Sequence, residues 1–398
     1  MYDVIVVGAR CAGSPTAMLL ARQGHRVLLV DRATFPSDTL STHMVHAPGV
    51  AALQRWGLLE QVVASGCPPI DTYAFDFGPF TIAGHPRPDG DVALAYAPRR
   101  TVLDAILVDA ARAAGVEVRE GFSVASVVVE EGVVTGIRGQ GADGVEVTES
   151  ARVVVGADGR GSHVARAVAP HEYNTRPKLQ WSYYSYWKDL PVAGFEITVR
   201  PDRGWAALPT NDGLTLLVVG WPFAESQAYK TDIEANYLKT LELSPAFAER
   251  VARATRVEPF SGGAVQGFFR TPYGPGWALV GDAGYNKDPI TAQGISDAFH
   301  DAELCAAALD EALSGRRGFD EAMADYHAAR DARVLPLYEF TSQLATLEPP
   351  PPEMQQLLGA VHGNADAMDA FVSITAGTVS PVEFFSPESI GAVMAAAH

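Results

Sequence analysis

The stretch MYDVIVVGARCAGSPTAMLLARQGHRVLLVD, residues 1–31, decides the fold. YDVIVVG (2–8) reads as a continuous apolar strand, SPTAMLLARQG (14–24) as a helix ending at Gly24, and HRVLLVD (25–31) as a second strand. Strand, glycine turn, helix and strand in so short a span form the βαβ unit of a parallel sheet. The turn GARCAG (Gly8–Gly13) keeps the outer glycines of G-x-G-x-x-G but places Arg10 where the middle glycine belongs. Glycine there lets a dinucleotide approach the backbone closely, so an arginine must turn away or lie along the cofactor. The second is expected, because a guanidinium offsets phosphate charge. Asp31 ends the second strand, where a carboxylate accepts the hydroxyl hydrogens of an adenosine ribose. A generic strand–helix turn and a solvated strand-end Asp are the competing readings.

The chain has 398 residues, enough for two packed units, and its 47% apolar and 19% charged content is that of a globular protein. A net charge of −17 argues against a nucleic-acid partner, which needs a basic surface. Cys11, Cys67 and Cys305 form no C-x-x-C pair, which argues against a disulfide scaffold or structural zinc and fits a reducing cytoplasm. No signal peptide is read at the N-terminus, and no apolar run reaches the roughly 20 residues of a membrane span, so no stable membrane insertion is expected.

Beyond the opening unit, helical spacing recurs at Pro48–Leu59 and at RRTVLDAILVDAARAAG (99–115), and strands with glycine turns run from Val116 to Gly159. Residues 178–270 read as mostly antiparallel strands. The expected architecture is α/β (α+β overall): a Rossmann-like domain of 1–70, 97–177 and 271–330, and a β-rich substrate domain of 71–96 and 178–270. A helical C-terminal region of 331–398 completes it.

Two later motifs join the first. VVVGADGRGSHVAR (153–166) delivers Asp158 and Gly159 to the carboxyl end of a strand, where open α/β sheets bind ligands. WALVGDAGYNKDPITAQGISDAF (277–299) ends a strand in Gly281-Asp282 and opens a helix near Gly294, whose free N–H groups suit an electron-rich group.

Together with R-x-x-L-D at Arg100–Asp104, this set resembles the FAD-dependent monooxygenase superfamily of the para-hydroxybenzoate hydroxylase fold, which also contains flavin halogenases and geranylgeranyl reductases. The resemblance implies non-covalent FAD held by Gly8, Arg10, Gly13, Asp31, Arg32, Arg100, Asp158, Gly281 and Asp282. It places the loop Pro289, Gln293, Gly294 and Ile295 against the isoalloxazine, with the last two N–H groups on its pyrimidine ring. NAD(P)H, or a partner flavin reductase, would supply electrons. Hydroxylation of an aromatic or polyketide-like molecule with O2, through a flavin hydroperoxide, is the expected activity; reduction of isoprenoid double bonds is the alternative, and a flavin halogenase or a non-enzymatic flavin-binding protein ranks below both. Halogenases of the fold use a lysine in their N-terminal part and a W-x-W-x-I-P segment. This sequence has no lysine before Lys178 and no such segment.

QWSYYSYW (180–187) alternates as a strand, with Trp181, Tyr183, Ser185 and Trp187 on one face and Ser182, Tyr184 and Tyr186 on the other. The alternation does not say which face lines the pocket. Trp181, Tyr183, Trp205 and His43 are taken as the candidate lining. His43 and His46 lack a third ligand at metal spacing and are read as polar contacts near the flavin, with no metal site expected. No side chain is singled out as catalytic acid or base.

Overall fold

Val4, Ile5 and Val6 are wholly buried, and so are Leu28, Leu29 and Val30, which is what a strand covered on both faces requires. Tyr2–Val7 pairs in parallel with Val27–Val30 on one side and with Glu146–Gly156 on the other. Trp277–Leu279 and Glu117–Arg119 extend the parallel sheet at its two ends. Alternate residues face opposite layers. Val4 and Val6 pack with the helices Gly13–Arg22, Ala47–Trp56, Arg100–Ala113 and Gly294–Leu313, while Ile5 and Val7 pack with Phe122, Val134 and Ile137. The last three belong to or adjoin an antiparallel meander of Ser123–Glu130, Val133–Gln140 and Glu146–Gly156. The structure, a computed structural model, describes residues 1–396. The fold is mixed α/β, with a Rossmann-like sheet, a second sheet rich in antiparallel pairs and a helical C-terminal part.

The second sheet runs in the order Thr255–Arg256, Gln180–Lys188, Leu214–Pro222, Arg203–Pro209, Phe195–Arg200, Tyr73–Asp76 and Thr81–Gly84. All of its neighbours along that order are antiparallel except Phe195–Arg200 and Tyr73–Asp76, the join between distant chain segments. The reading of 178–270 as mostly strands fails at 226–252, which forms the helices Ser226–Tyr229, Ile233–Leu241 and Pro245–Ala252. Their starts carry the reason. The Asp232 side chain accepts the Ala235 N–H at 3.0 Å, and Pro245 occupies a first-turn position where its missing N–H is not needed.

These two longer helices cover one face of the second sheet through Tyr237, Leu241, Phe247 and Val251. C-terminal helices approach the other face, with Leu357, Val361, Phe371 and Ile374 buried among Tyr73, Phe75, Phe195 and Leu208. They follow the long helix Phe319–Leu344 as Pro352–Val361, Ala365–Ala376, Pro381–Phe384 and Pro387–Ala396, while Ala397 and His398 of the expected helical region lie outside the described residues. No described helix is long and apolar enough to cross a membrane.

Candidate functional site

A cleft of about 1550 Å³ runs from the carboxyl edge of the parallel sheet, past the Gly281–Ile295 segment, to the space between the second sheet and the C-terminal helices. At its first end the turn after Tyr2–Val7 is as tight as a chain allows. Gly8 has φ +103 and a Cβ there would lie 2.4 Å from the Ala157 carbonyl oxygen. A Cβ on Gly13 would lie 1.8 Å from the Gly8 oxygen. The helix Gly13–Arg22 then starts with no side-chain cap; the Ser14 N–H bonds the Arg10 carbonyl at 3.1 Å and Pro15 has no N–H, so the donors left for a ligand or water among the described residues are those of Cys11, Ala12 and Gly13. Asp31 supports the turn, taking the Ala9 N–H on one oxygen at 2.7 Å and the Ala33 N–H on the other at 2.8 Å. Arg32 lines the cleft beside it and is exposed.

Arg10 reaches the cleft wall but its guanidinium is held by protein. Nη1 donates to Asp104 Oδ2 at 2.5 Å, and Nη2 to Ser37 Oγ at 2.9 Å and the Asp38 carbonyl at 3.3 Å. Asp104, wholly buried, also takes Arg100 through Nε at 3.0 Å and Nη2 at 2.8 Å. Two cations on one carboxylate leave a net positive charge behind the turn, and Arg100 lines the cleft. Asp158 is used differently. Its oxygens take the Ser162 hydroxyl at 2.5 Å and the His163 N–H at 2.6 Å, fastening the short helix His163–Val168, though the residue still touches the cleft.

Asp282 lines the cleft, is exposed to it, and has no hydrogen-bond partner among the described residues. Enclosure by protein raises its pKa above the usual carboxylate value, against the pull of Arg160 and Arg100. The helix Gly294–Leu313 also begins without a side-chain cap, and Gly294 and Ile295 line the cleft. Two uncapped helix N-termini, a cationic flank and an unpaired carboxyl therefore face one space. That donor set fits a dinucleotide with a polyol chain: N–H groups for phosphate oxygens, a carboxylate for hydroxyls. Pro289 lines the cleft as well, within a turn anchored from behind. His46 is wholly buried, with Nδ1 accepting the Tyr73 hydroxyl at 2.7 Å and Nε2 donating to the Thr291 carbonyl at 3.1 Å, and its burial lowers its pKa to about 4.

Several expected lining residues lie elsewhere. Gln293 turns its amide out of the cleft to the Thr375 carbonyl at 2.5 Å. Trp181 and Tyr183 belong to the cluster with Trp221 and Tyr237 under the 233–252 helices, so the opposite face of the strand, Gln180, Ser182 and Tyr184, is the one on the cleft. Trp205 touches the wall, but its ring packs on Phe247 at 5.9 Å. His43 is wholly buried behind the wall, bonded through Nε2 to Tyr186, and burial near Arg100 and Arg99 lowers its pKa to about 3. Alternation alone does not choose the face, because the choice rests on the helices that cover Trp181 and Tyr183, and these come from a stretch expected as strands. Beyond Gln180 the cleft is mostly apolar, walled by Phe75, Phe195, Ile197, Leu208, Phe340 and Leu358, with Thr198, Arg203 and Gln343 also on its lining.

Residues 1–341 match the family model described as FAD binding domain. The chain belongs to that family. This FAD-binding protein is 26% identical to tryptophan 2-halogenase of Chondromyces crocatus over 94% of its own length and 76% of the relative's. It is 28% identical to digeranylgeranylglycerophospholipid reductase 2 of Methanopyrus kandleri (82% and 80% covered) and 29% identical to 6-methylpretetramide 4-monooxygenase of Streptomyces rimosus (82% and 79%). The structure of the myxobacterial chondrochloren halogenase CndH, an FAD-dependent halogenase, superposes with a TM-score of 0.80 at 24% identity, covering 100% of this chain and 96% of that one. The resemblance to the FAD-dependent monooxygenases, halogenases and geranylgeranyl reductases is thus borne out, and the FAD-binding protein is an oxidoreductase of that family.

Proposed function

We propose that the protein is an FAD-dependent monooxygenase that hydroxylates an aromatic or polyketide-like small molecule. The observation that carries this reading is the continuity of one cleft, from two uncapped helix N-termini to an aromatic and aliphatic chamber. Bound non-covalently, FAD supplies the redox chemistry, with electrons from NAD(P)H or a flavin reductase. The chain's own share is position, charge and dryness. Gly8 and Gly13 admit the pyrophosphate, Arg10 and Arg100 make its surroundings positive, and Asp282 takes a polyol hydroxyl. The Gly294 and Ile295 N–H groups would favour negative charge on the bound flavin. Phe195, Ile197 and Leu208 exclude water from the substrate's side.

The relative named for 4-monooxygenation of 6-methylpretetramide supports this reading. Halogenation is less well served: Lys287 is the one lysine on the cleft wall among the described residues, and its Nζ is held by Asp297 at 2.6 Å. Reduction of isoprenoid double bonds is the second reading, favoured by the apolar length of the chamber and by the reductase relative. The test is NAD(P)H and O2 consumption by the FAD-loaded protein, with and without an added flavin reductase, over a panel of phenols, polycyclic polyketides and prenyl lipids. Ligand-stimulated O2 uptake with label from ¹⁸O2 in the product is expected. Anaerobic saturation of a prenyl chain, with no O2 uptake on any phenol, would establish the reductase instead.

A further inference from the structure

One acid at the seam between the cofactor end and the apolar chamber is only half used by the fold. Asp288 lines the cleft and is 7% exposed. Its Oδ1 holds local structure, accepting the Ile290 N–H at 3.0 Å and the side-chain amide of Gln180. Its Oδ2 is buried with no partner among the described residues, a condition native proteins rarely keep without a use. Of the charged groups on the cleft, Lys287 is held by Asp297 at 2.6 Å, Arg203 by Glu225 at 2.8 Å and Arg100 by Asp104 at 2.8 Å, while Arg160 and Asp282 make no ion pair among the described residues. With no cation to offset it, burial raises the Asp288 pKa to about 7, against the Gln180 and Ile290 bonds that favour the ionised form.

We propose that a turn of the Asp288 carboxyl brings its buried, unpaired Oδ2 to the cleft, where it receives a phenolic or enolic hydroxyl of the substrate and acts as the general base of the reaction. This rests on the monooxygenase reading. In the step, the substrate O–H bond breaks and the proton bonds to Oδ2. The electron pair stays on the substrate oxygen and moves into the ring, making the carbons ortho and para to it more nucleophilic. Nothing is oxidised in that step, and the proton returns to the product oxygen or to water afterwards. A carboxylate of ordinary acidity is a poor partner for a phenol, and one brought near neutrality is a better one. The substrate class follows: a hydroxylated ring whose hydroxyl lies at the flavin end and whose apolar body extends toward Phe195, Ile197 and Leu208.

The test uses the FAD-loaded protein, Asp288→Asn and Gln180→Leu, with two readouts. In the first, 2-naphthol and 2-methoxynaphthalene are titrated by perturbation of the flavin spectrum. Wild type is expected to prefer the naphthol at least about 10-fold, and Asp288→Asn to lose that preference. In the second, kcat/KM for a phenolic substrate rises through about pH 7 in wild type, the range set by Asp288. Asp288→Asn loses that limb and falls about 10²- to 10⁴-fold. Gln180→Leu keeps the base but removes a bond to its ionised form, so the limb moves to higher pH. An Asp288→Asn protein that loads FAD and keeps the naphthol preference overturns the assignment, as does an unmoved limb in Gln180→Leu. A wild type that prefers the naphthol through Asp288 yet takes up no O2 with any phenol overturns the monooxygenase reading, and the base role with it.

Discussion

Arg10 and Asp104 show how a departure from a glycine fingerprint is accommodated. The arginine does not lie free along a cofactor. It spans from the turn to a buried carboxylate shared with Arg100, and to the Ser37–Asp38 segment. Part of this was legible, since Arg100 and Asp104 stand in one motif and Arg10 was expected to serve the phosphate end. The missing piece was the partner, 94 residues away, which no local pattern supplies. Asp104→Asn leaves two guanidinium groups without their carboxylate, one of them buried, and breaking such a site costs about 3–5 kcal/mol. Urea unfolding of the FAD-free protein is expected to register a loss in that range. A change below about 1 kcal/mol would mean the two arginines find other acceptors.

The elements that matter most are the 288–295 loop and the helices packed behind it. Thr291 is fixed from one side by His46 and from another by Thr341, at 2.9 Å between hydroxyls. Gln293 bonds the Thr375 carbonyl in the C-terminal helix Ala365–Ala376, which also contributes Phe371 to the chamber wall. The loop on the cofactor side and the roof on the substrate side are thus joined by one amide. Gln293→Leu leaves that carbonyl unpaired in a dry setting, a cost of about 1–3 kcal/mol. Stability should fall by that amount, and hydrogen exchange in 365–376 should quicken more than in 13–22. Equal exchange in both helices would sever the proposed link.

Acid stability belongs to the whole molecule, because it depends on the difference between folded and unfolded chains. His43 and His46 are buried and His300 is partly buried, and desolvation lowers their pKa values to about 3, 4 and 3. Between about pH 6.5 and 4 the unfolded chain binds protons at these positions that the folded one refuses, so they make stability fall as pH falls. Asp288 and Asp301, raised to about 7 by burial, act in the opposite sense, being protonated in the folded chain and ionised in the unfolded one. Asp282, whose pKa is also raised, adds to the second set, so the two sets pull against each other and the histidines' share is isolated by substitution. His300→Phe removes one of the three histidines, losing only the 3.8 Å approach of Nδ1 to Glu303 because Nε2 has no partner among the described residues, and the pH slope of unfolding free energy should shrink by about one proton over that window. An unchanged slope would mean that His300 takes up its proton when folded.

By itself the sequence determined the parallel βαβ core, the order of the three motifs and the family they mark. These are set by short-range periodicity and by glycines whose missing side chains are demanded within one turn. Tertiary structure alone decided which face of Gln180–Lys188 meets the cleft, because that depends on the helices of 233–252, distant partners that only the folded chain brings over Trp181 and Tyr183. It also decided that Arg10 is tied to Asp104, that Gln293 serves the roof, and that Asp288 keeps a carboxyl oxygen buried and unpaired. The physical reason is the same in each case. A charge or a face acquires its role from whatever is packed against it, and those neighbours come from far along the chain.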